Sequence, residues 1–256
     1  DGRVLFLLPF FGRTLLGTTD IPCPAAEATV VSDQERSYLL DHLARWFPDG
    51  SAGEVGSAWA GGRPLIRAAG SSASSSRLVR EHEVEQLPSG LISLLGGKWT
   101  TCRVLALDAL KLVLERLGGV EPAAQPLPLL GSAADCDQTV PQLQALRPRL
   151  LEQLPDHAHQ AAQVDHLIAS YGLRAEEVIH HAQQPGELEP LSEVVPICRA
   201  EWRFNIAQEW ATTSSDLLSR RSRLALLDQQ ETARLSSMAS ELLLESGSTS
   251  PINHQQ

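Results

Sequence analysis

The sequence predicts a mixed α/β region over about the first 118 residues, followed by an all-helical region. In the first part, short apolar or alternating segments bounded by Gly and Pro are typical of strands and hairpins. Pro122, Pro126 and Pro128 then indicate a linker. Beyond it, apolar residues recur at helical spacing and no strand is needed. These patterns divide the chain into a mixed-sheet region over 1–90, a strand and helix over 91–118, a linker over 119–131 and a helical domain over 132–256.

Composition narrows the class of protein. The 256 residues are 43% hydrophobic, which is enough for one large or two modest cores. A net charge of −10 and only 5% aromatic residues argue against a nucleic-acid surface. The four cysteines are far apart, which favours reduced thiols in a cytoplasmic protein over a metal ribbon. Because the chain begins at Asp1 without an initiating Met and leads directly into a strand, we expect it to be a piece of a longer protein.

Several elements are predicted in the front region. A hairpin spans 4–20, and Ser32 with Glu35 has the spacing of a capping box that starts a helix ending near Phe47. Alternation over 54–60 predicts a half-buried strand. The segments 77–87 and 91–95, separated by a turn, predict a second hairpin.

The helical region is predicted to contain six helices. Gly172 is expected to end the second of them as a C-terminal cap. The predicted helices are Val140–Leu154, Ala158–Tyr171, Arg174–Gln183, Ile197–Ala211, Ser215–Arg223 and Gln229–Glu245.

The most informative motif follows the strand of the second hairpin. Gly96 and Gly97 break that strand, and Lys98–Thr101 leads into a helical pattern. A strand, glycine turn and helix start present several unpaired N–H groups at one point, which attracts anions or electron-rich groups of a cofactor. The lysine strengthens this interpretation, since the chain has only Lys98 and Lys111 against 19 arginines. A plain tight turn is the alternative.

Two arginines are candidates for ligand binding. Arg63 follows two glycines and precedes Pro64, so its guanidinium extends from a stiff turn and suits a phosphate or carboxylate. A surface arginine that caps a carbonyl is the alternative. Alternation places Arg80 on one strand face with Leu78 and His82, and Glu81 and Glu83 on the other. Because whichever face is buried carries charge, Arg80 is either ion-paired or directed at a ligand.

Other polar residues point to structural roles. The pairs His157 with His159 and His180 with His181 do not give a convergent helical pair with nearby carboxylates, and His166 is isolated, so no metal site is expected. The arginines in Arg220–Arg223 are expected to pair with acids such as Glu193 and Glu201, and an anion-binding patch is the alternative. The chain contains no Gly-x-Gly-x-x-Gly and therefore lacks the main phosphate loop of dinucleotide-binding domains.

Five short segments together are more specific than any one of them. They are Asp1–Phe6 with Gly12–Asp20, Trp59–Leu65, Arg80–His82, Gly96–Thr101, and Glu193–Val195 with Arg199, Glu201 and Arg220–Leu224. Over residues 1 to about 228, the chain with these segments resembles the FAD-dependent (quinone-linked) glycerol-3-phosphate dehydrogenases. It departs from the family pattern at Pro196, where an aromatic residue is usual, and at Trp202, where a smaller side chain is usual.

The resemblance implies a fold and a site. It implies an antiparallel substrate-binding sheet, the last strand and helix of an FAD-binding α/β domain over 91–117, and an all-α C-terminal domain. An upstream glycine-rich unit would hold the FAD pyrophosphate. The cofactor FAD would contact Gly96, Gly97, Lys98, Trp99, Thr100 and Thr101. The phosphate and hydroxyls of the substrate would be bound by Arg63, Arg80 and Lys98, with Arg63 and Lys98 as the catalytic residues.

The resemblance also implies a reaction, the oxidation of sn-glycerol 3-phosphate to dihydroxyacetone phosphate with electrons passed to a quinone. The piece is expected to be inactive alone, and His82 is one candidate for the proton acceptor. The implied protein is cytoplasmic, and the resemblance leaves open a peripheral contact with the inner face of the cell membrane and a homodimer. The alternatives are an oxidase that uses oxygen, a related FAD amino-acid oxidase and, from another class, a non-catalytic helical docking module.

Overall fold

The chain folds into two compact units, each of which is treated by itself. The computed structural model describes residues 4–48, 53–63, 82–119 and 127–247. The front unit comprises Asp1–Phe6, Leu16–Trp46 and Trp59–Pro126, and the helical unit comprises Leu7–Leu15, Phe47–Ala58 and Leu127–Gln256.

Two hairpins form the strands, as the sequence predicted. The first pairs β1 (Phe6–Phe10) with β2 (Arg13–Gly17). The second pairs β3 (His82–Gln86) with β4 (Ile92–Gly96) in antiparallel register. These hairpins and the helices described next confirm the predicted fold class, an α+β front part followed by an all-α part.

The predicted capping box begins helix α1 (Asp33–Trp46). The Ser32 hydroxyl accepts from the N–H of Glu35 at 3.2 Å and donates to the Glu35 carboxylate at 2.8 Å. The other carboxylate oxygen of Glu35 accepts from the Thr19 hydroxyl at 2.6 Å. These hydrogen bonds lower the pKa of Glu35, with the bond from Thr19 contributing most. The helix start is therefore tied to the segment that leaves the first hairpin.

The strand predicted over 54–60 is wrong, because this segment is irregular in the structure. The segment contacts the turn that precedes α7 instead of a neighbouring strand. The Gly56 carbonyl accepts from the N–H of Gln229 at 2.9 Å, and the Ser57 hydroxyl donates to the Ala225 carbonyl at 2.7 Å. Single contacts to a turn satisfy this backbone, so no sheet ladder forms.

The helical unit contains five α-helices in its described part, and residues 127–247 contain no strand. They are α3 (Thr139–Gln153), α4 (Gln160–Tyr171), α5 (Ala175–Ile179), α6 (Arg199–Glu209) and α7 (Gln229–Glu245). Gly172 follows α4 with φ of +59°, which agrees with its predicted role as a cap. Helix α5 is shorter than predicted, since it ends at Ile179. Asp216–Arg221 is a π-helical segment.

Two hydrophobic clusters hold this unit together. One surrounds Trp202, Leu217 and Leu235, and the other surrounds Leu150, Leu167 and Phe204. All six of these side chains are fully buried. Trp202, which departs from the family pattern, therefore fills the first cluster.

The front unit lacks a comparable core in its described part. Its second long helix is α2 (Cys102–Leu117), and neither α1 nor α2 buries any residue fully. Large apolar side chains, among them Trp46, Trp99 and Leu117, are exposed instead. Among the described residues, no helix has the length and apolar content needed to cross a membrane.

Candidate functional site

The glycine turn after β4 has the geometry predicted for a helix start. Gly96 and Gly97 have φ of +67° and +86°, a region that side chains other than Gly rarely adopt. Lys98 is extended, and a 3-10 turn, Trp99–Thr101, leads into α2. The positive φ angles of these two glycines thus turn the chain directly from the strand into the helix.

This helix start is open to a ligand. No side chain caps the 3-10 turn or the first turn of α2. Lys98 is exposed and has no carboxylate partner within the described residues, while Trp99 is 90% exposed. Uncapped N–H groups beside a free ammonium favour negative charge or electron-rich atoms at this point.

His82 lies beside the same turn. In the ladder of β3 and β4 it is opposite Gly96. Its Nε2 lies 2.7 Å from Oδ2 of Asp108 on α2. With the proton on Nε2 directed at this carboxylate, Nδ1 is left as an acceptor. The carboxylate therefore orients a base next to the glycine turn.

Arg63 is loosely held in the front unit. Its Nη1 lies 3.8 Å from Oδ2 of Asp20, and both side chains are partly exposed. A pair of this length leaves most guanidinium donors available. Arg80, the third predicted phosphate ligand, lies outside the described residues. The convergence of Arg63, Arg80 and Lys98 on one ligand thus stays a prediction.

Sequence reasoning missed a buried polar cluster in the helical unit. Nε2 of His166 on α4 lies 3.0 Å from both carboxylate oxygens of Glu201 on α6, and Tyr171 donates to the same carboxylate at 2.8 Å. Glu201 is fully buried and His166 nearly so. Because 35 positions separate the two residues, local spacing gave no signal for the pair.

The cluster shifts the titration of its members. Burial lowers the pKa of His166, but the charge of Glu201 and its hydrogen bond outweigh that effect and raise it overall. Burial, together with the same carboxylate, raises the pKa of Tyr171. Burial also raises the pKa of Cys198 to about 12, so this thiol is not a nucleophile at neutral pH.

The predicted pairing of the Arg220–Arg223 segment with Glu193 and Glu201 is wrong. Arg220 pairs with Asp216 at 2.9 Å, and Arg221 with Glu209 at 3.3 Å. Both partners are close in sequence. The π-helical segment turns these two arginines toward nearby acids, while His166 and Tyr171 already occupy Glu201.

No group of three or more His, Cys, Asp or Glu residues that could hold a metal ion occurs in the part of the chain that the structure describes. Two of the imidazoles found there are each paired with a single carboxylate, His82 with Asp108 and His166 with Glu201.

Comparisons with known proteins support the resemblance found in the sequence. Residues 123–248 match a family model described as the C-terminal domain of alpha-glycerophosphate oxidase. A probable mitochondrial glycerol-3-phosphate dehydrogenase of Dictyostelium discoideum is 33% identical over 242 residues, covering 90% of this chain and 36% of the relative. The human mitochondrial glycerol-3-phosphate dehydrogenase is 32% identical over 239 residues, covering 90% and 31%. The chain thus spans about a third of the length of these relatives.

A solved structure shows the same fold. It is a glycerol-3-phosphate dehydrogenase from Bacillus halodurans, determined in complex with FAD, with a TM-score of 0.71 and 23% identity. The match covers 98% of this chain and 48% of that one. Together with the curated relatives, it confirms the resemblance over nearly the whole chain.

Proposed function

This chain carries, at residues 123–248, a match to the C-terminal domain of alpha-glycerophosphate oxidase, and from this premise we propose that it is the C-terminal portion of an FAD-dependent glycerol-3-phosphate dehydrogenase. The whole protein would oxidise sn-glycerol 3-phosphate to dihydroxyacetone phosphate. The observation that carries the proposal is the open helix start at Gly96–Thr101, with Lys98 and the His82–Asp108 pair beside it. Similarity to dehydrogenases of this name over 90% of the chain, at 32–33% identity, supports it.

The residues at the turn fit the cofactor. A Cβ at Gly97 would collide with the side chain of Leu105, so the turn requires glycine there, and no side chain caps the 3-10 turn that follows. Such a helix start favours an electron-rich edge, and reduced flavin carries negative charge near its N1–C2=O edge. When bound, FAD supplies the acceptor for the hydride of the secondary alcohol.

Cationic side chains of this chain would bind the substrate. A phosphate dianion needs two or more cations, and Arg63, Arg80 and Lys98 supply three. Arg63 has donors to spare beyond its 3.8 Å pair with Asp20, and Lys98 has no ion-pair partner among the described residues. These residues would orient the substrate through its phosphate and hydroxyls.

We assign the hydroxyl proton to His82. Loss of a hydride from an alcohol leaves a proton to be removed, and a base in hydrogen-bond reach does so efficiently. Asp108 binds Nε2 of His82, which leaves Nδ1 as the atom that would accept the proton.

The exposed apolar surface of the front unit supports the view that this chain is one part of a larger flavoprotein. Helices α1 and α2 bury no residue fully, and Trp99 and Leu117 are exposed. Contiguous exposed apolar surface marks a place where another part of the protein packs. The relatives are about three times as long as this chain, and their remaining length would supply the cover.

The flavin would pass its electrons to a quinone. Because quinones lie in the lipid bilayer, the working protein would be a cytoplasmic enzyme in peripheral contact with the inner face of a membrane. A homodimer is compatible with this arrangement. Oxygen is the alternative acceptor, because oxidases share these motifs. Two rates separate these acceptors: the rate at which the reduced protein consumes oxygen, and the rate at which it reduces a water-soluble quinone.

The test is to express the chain together with the sequence that precedes it in its gene. We expect a yellow protein that contains bound flavin and oxidises glycerol 3-phosphate in a dye-coupled assay. The 256-residue chain alone should show no such activity. A protein that binds flavin but ignores glycerol 3-phosphate would overturn the substrate assignment and favour a related amino-acid oxidase.

A further inference from the structure

A single carboxylate closes a loop of the front unit. The Thr19 hydroxyl donates to Oε1 of Glu35 at 2.6 Å, and the Ser32 hydroxyl donates to Oε2 at 2.8 Å. The N–H of Glu35 in turn donates to the Ser32 hydroxyl at 3.2 Å. We refer to residues 19–35, which run from just beyond the first hairpin into the first turn of α1, as the bracket. Glu35 thus joins the two ends of the bracket.

The middle of the bracket is stiffened by its own backbone. At the 3-10 turn Ala25–Glu27, the Glu27 N–H donates to the Pro24 carbonyl at 2.9 Å. The Val30 N–H then donates to the Glu27 carbonyl at 2.9 Å. These bonds hold Ala28, which lies between the two donors, in a compact turn. Closing a loop at its ends further reduces the conformations open to the residues inside it.

The bracket touches the segment that carries Arg63 at two points. A Cβ atom at Gly62 would lie 2.8 Å from Cβ of Ala28, which is closer than real contacts allow. Nη1 of Arg63 lies 3.8 Å from Oδ2 of Asp20. Because no helix or strand includes residues 59–63, these contacts take the place of a regular backbone ladder. All of these residues belong to the front unit.

The ion pair of Asp20 and the bond that closes the bracket are neighbours in the chain. Asp20 directly follows Thr19, so the bond from Thr19 to Glu35 also restrains the backbone that carries Asp20. At 3.8 Å the contact of Asp20 with Arg63 is an ion pair and not a hydrogen bond, so it orients the guanidinium and leaves its N–H donors for an anion. The hydrogen bonds from Thr19 and Ser32 lower the pKa of Glu35, which keeps this carboxylate charged and the closing bond charge-assisted at neutral pH.

We propose that Glu35 is a positioning residue for Arg63. By closing the bracket through Thr19, it holds Asp20 and Ala28 where they direct the Arg63 side chain before the substrate binds. A guanidinium that is already placed loses less conformational entropy when it binds a phosphate. This role rests on the proposed function, because it takes Arg63 to bind the phosphate of glycerol 3-phosphate.

The test compares Glu35→Ala with Asp33→Ala in the full-length holoprotein. Both variants remove one negative charge from the first turn of α1, but the Thr19 hydroxyl donates to Glu35, whereas Asp33 is exposed. We expect Glu35→Ala to raise KM for glycerol 3-phosphate by about tenfold, the effect of losing one charge-assisted hydrogen bond. The change in kcat should be smaller, and the flavin content should not change. Asp33→Ala should leave KM unchanged, and equal KM in the two variants would overturn the proposal.

Arginine-specific labelling with phenylglyoxal, read at Arg63 by mass spectrometry, measures the same contact without catalysis. Glu35→Ala should release Arg63 from Asp20 and raise its labelling rate, whereas Asp33→Ala should not. A raised labelling rate with unchanged KM would contradict the positioning role. If the unmodified holoprotein does not oxidise glycerol 3-phosphate, the proposed function fails and labelling alone decides. A raised rate only in Glu35→Ala then supports the hold on Arg63, and equal rates overturn it.

A second pair of variants covers a failure of Glu35→Ala to fold. Thr19→Val removes the hydroxyl that closes the bracket but keeps the shape of the side chain, and Thr19→Ser keeps the hydroxyl. We expect the valine variant to raise KM and the serine variant to restore it.

A third pair tests the contact at Ala28. Gly62→Ala would place a methyl group 2.8 Å from Cβ of Ala28 and should also raise KM. A Cβ at Gly61 meets nothing within 4 Å, so Gly61→Ala should leave KM unchanged. Equal KM within the threonine pair and within the glycine pair would overturn the positioning of Arg63 by the bracket.

Discussion

Nε2 of His166 lies 3.0 Å from both carboxylate oxygens of Glu201, and this pair joins α4 to α6 inside the helical unit. Tyr171 provides a third contact at 2.8 Å, and its oxygen also lies 3.0 Å from Oδ1 of Asn205. One hydroxyl proton can serve only one of the two acceptors. Turning the Asn205 amide lets Nδ2, otherwise without a partner among the described residues, donate to the Tyr171 oxygen, and it moves Oδ1 to the position that lacks a partner.

The first prediction concerns pH. The pKa of folded His166 is raised above its usual value of 6.5, since the carboxylate of Glu201 outweighs burial and the opposing charge of Arg223. The pair's contribution to stability is therefore fully present below pH 6.5 and is lost as pH rises through the folded-state pKa. We expect the free energy of unfolding in urea to fall over that window. Hydrogen exchange in α4 and α6 should rise in parallel.

His166→Gln is the control for this prediction. Glutamine keeps an N–H donor for Glu201 but does not titrate in this range. The variant should be less stable than the natural chain below pH 6.5, and the pH-dependent fall should disappear. A fall of the same size in both proteins would assign the pH dependence to another group.

The second prediction concerns removal of the carboxylate. Glu201→Ala leaves His166 and Tyr171 buried without their acceptor, and breaking a buried pair costs about 3–5 kcal/mol of unfolding free energy. Glu193→Ala removes an exposed carboxylate from the same unit and should change stability little. Urea denaturation of both variants measures the difference. Similar midpoints would show that the buried pair contributes nothing net.

Local patterns explain why some elements could be predicted from the sequence. The Gln229–Glu245 helix has the same bounds in the prediction and in the structure, since Asp228 caps it. The strand predicted over 54–60 is wrong because alternation predicts a buried face, whereas Val55 and Trp59 of this segment are exposed and no strand among the described residues pairs with it. The His166–Glu201 pair joins helices far apart in sequence, so only the folded chain reveals it. At the candidate site, the glycine turn was local and predictable, whereas the contact of His82 with Asp108 required β3 to pack against α2.

The third prediction tests the core of the helical unit. Leu167 is fully buried on α4, so Leu167→Ala removes apolar contacts and leaves a cavity. We expect a loss of about 2–5 kcal/mol of unfolding free energy. Val140→Ala on α3 is the matched control, since Val140 is exposed. A small effect of Leu167→Ala would indicate that this cluster repacks or is already loose.

The fourth prediction separates the roles of the two lysines in the full-length holoprotein. Lys98 begins the turn into α2 and has no partner among the described residues, whereas Lys111 is exposed further along the same helix. If Lys98 binds the substrate, Lys98→Ala removes a charge-assisted bond and should raise KM for glycerol 3-phosphate by about 10- to 100-fold. Lys111→Ala should leave KM unchanged, because Lys111 lies away from the turn, and it is a matched control since both variants lose the same net charge.

The flavin content of the same two variants decides which ligand Lys98 serves. Unchanged flavin in Lys98→Ala together with a raised KM assigns the ammonium to the substrate. Loss of flavin assigns it to the cofactor, because an uncapped helix start depends on the adjacent positive charge to attract an electron-rich edge. Equal KM and equal flavin content in both lysine variants would contradict both roles and reduce the Gly96–Thr101 motif to a tight turn.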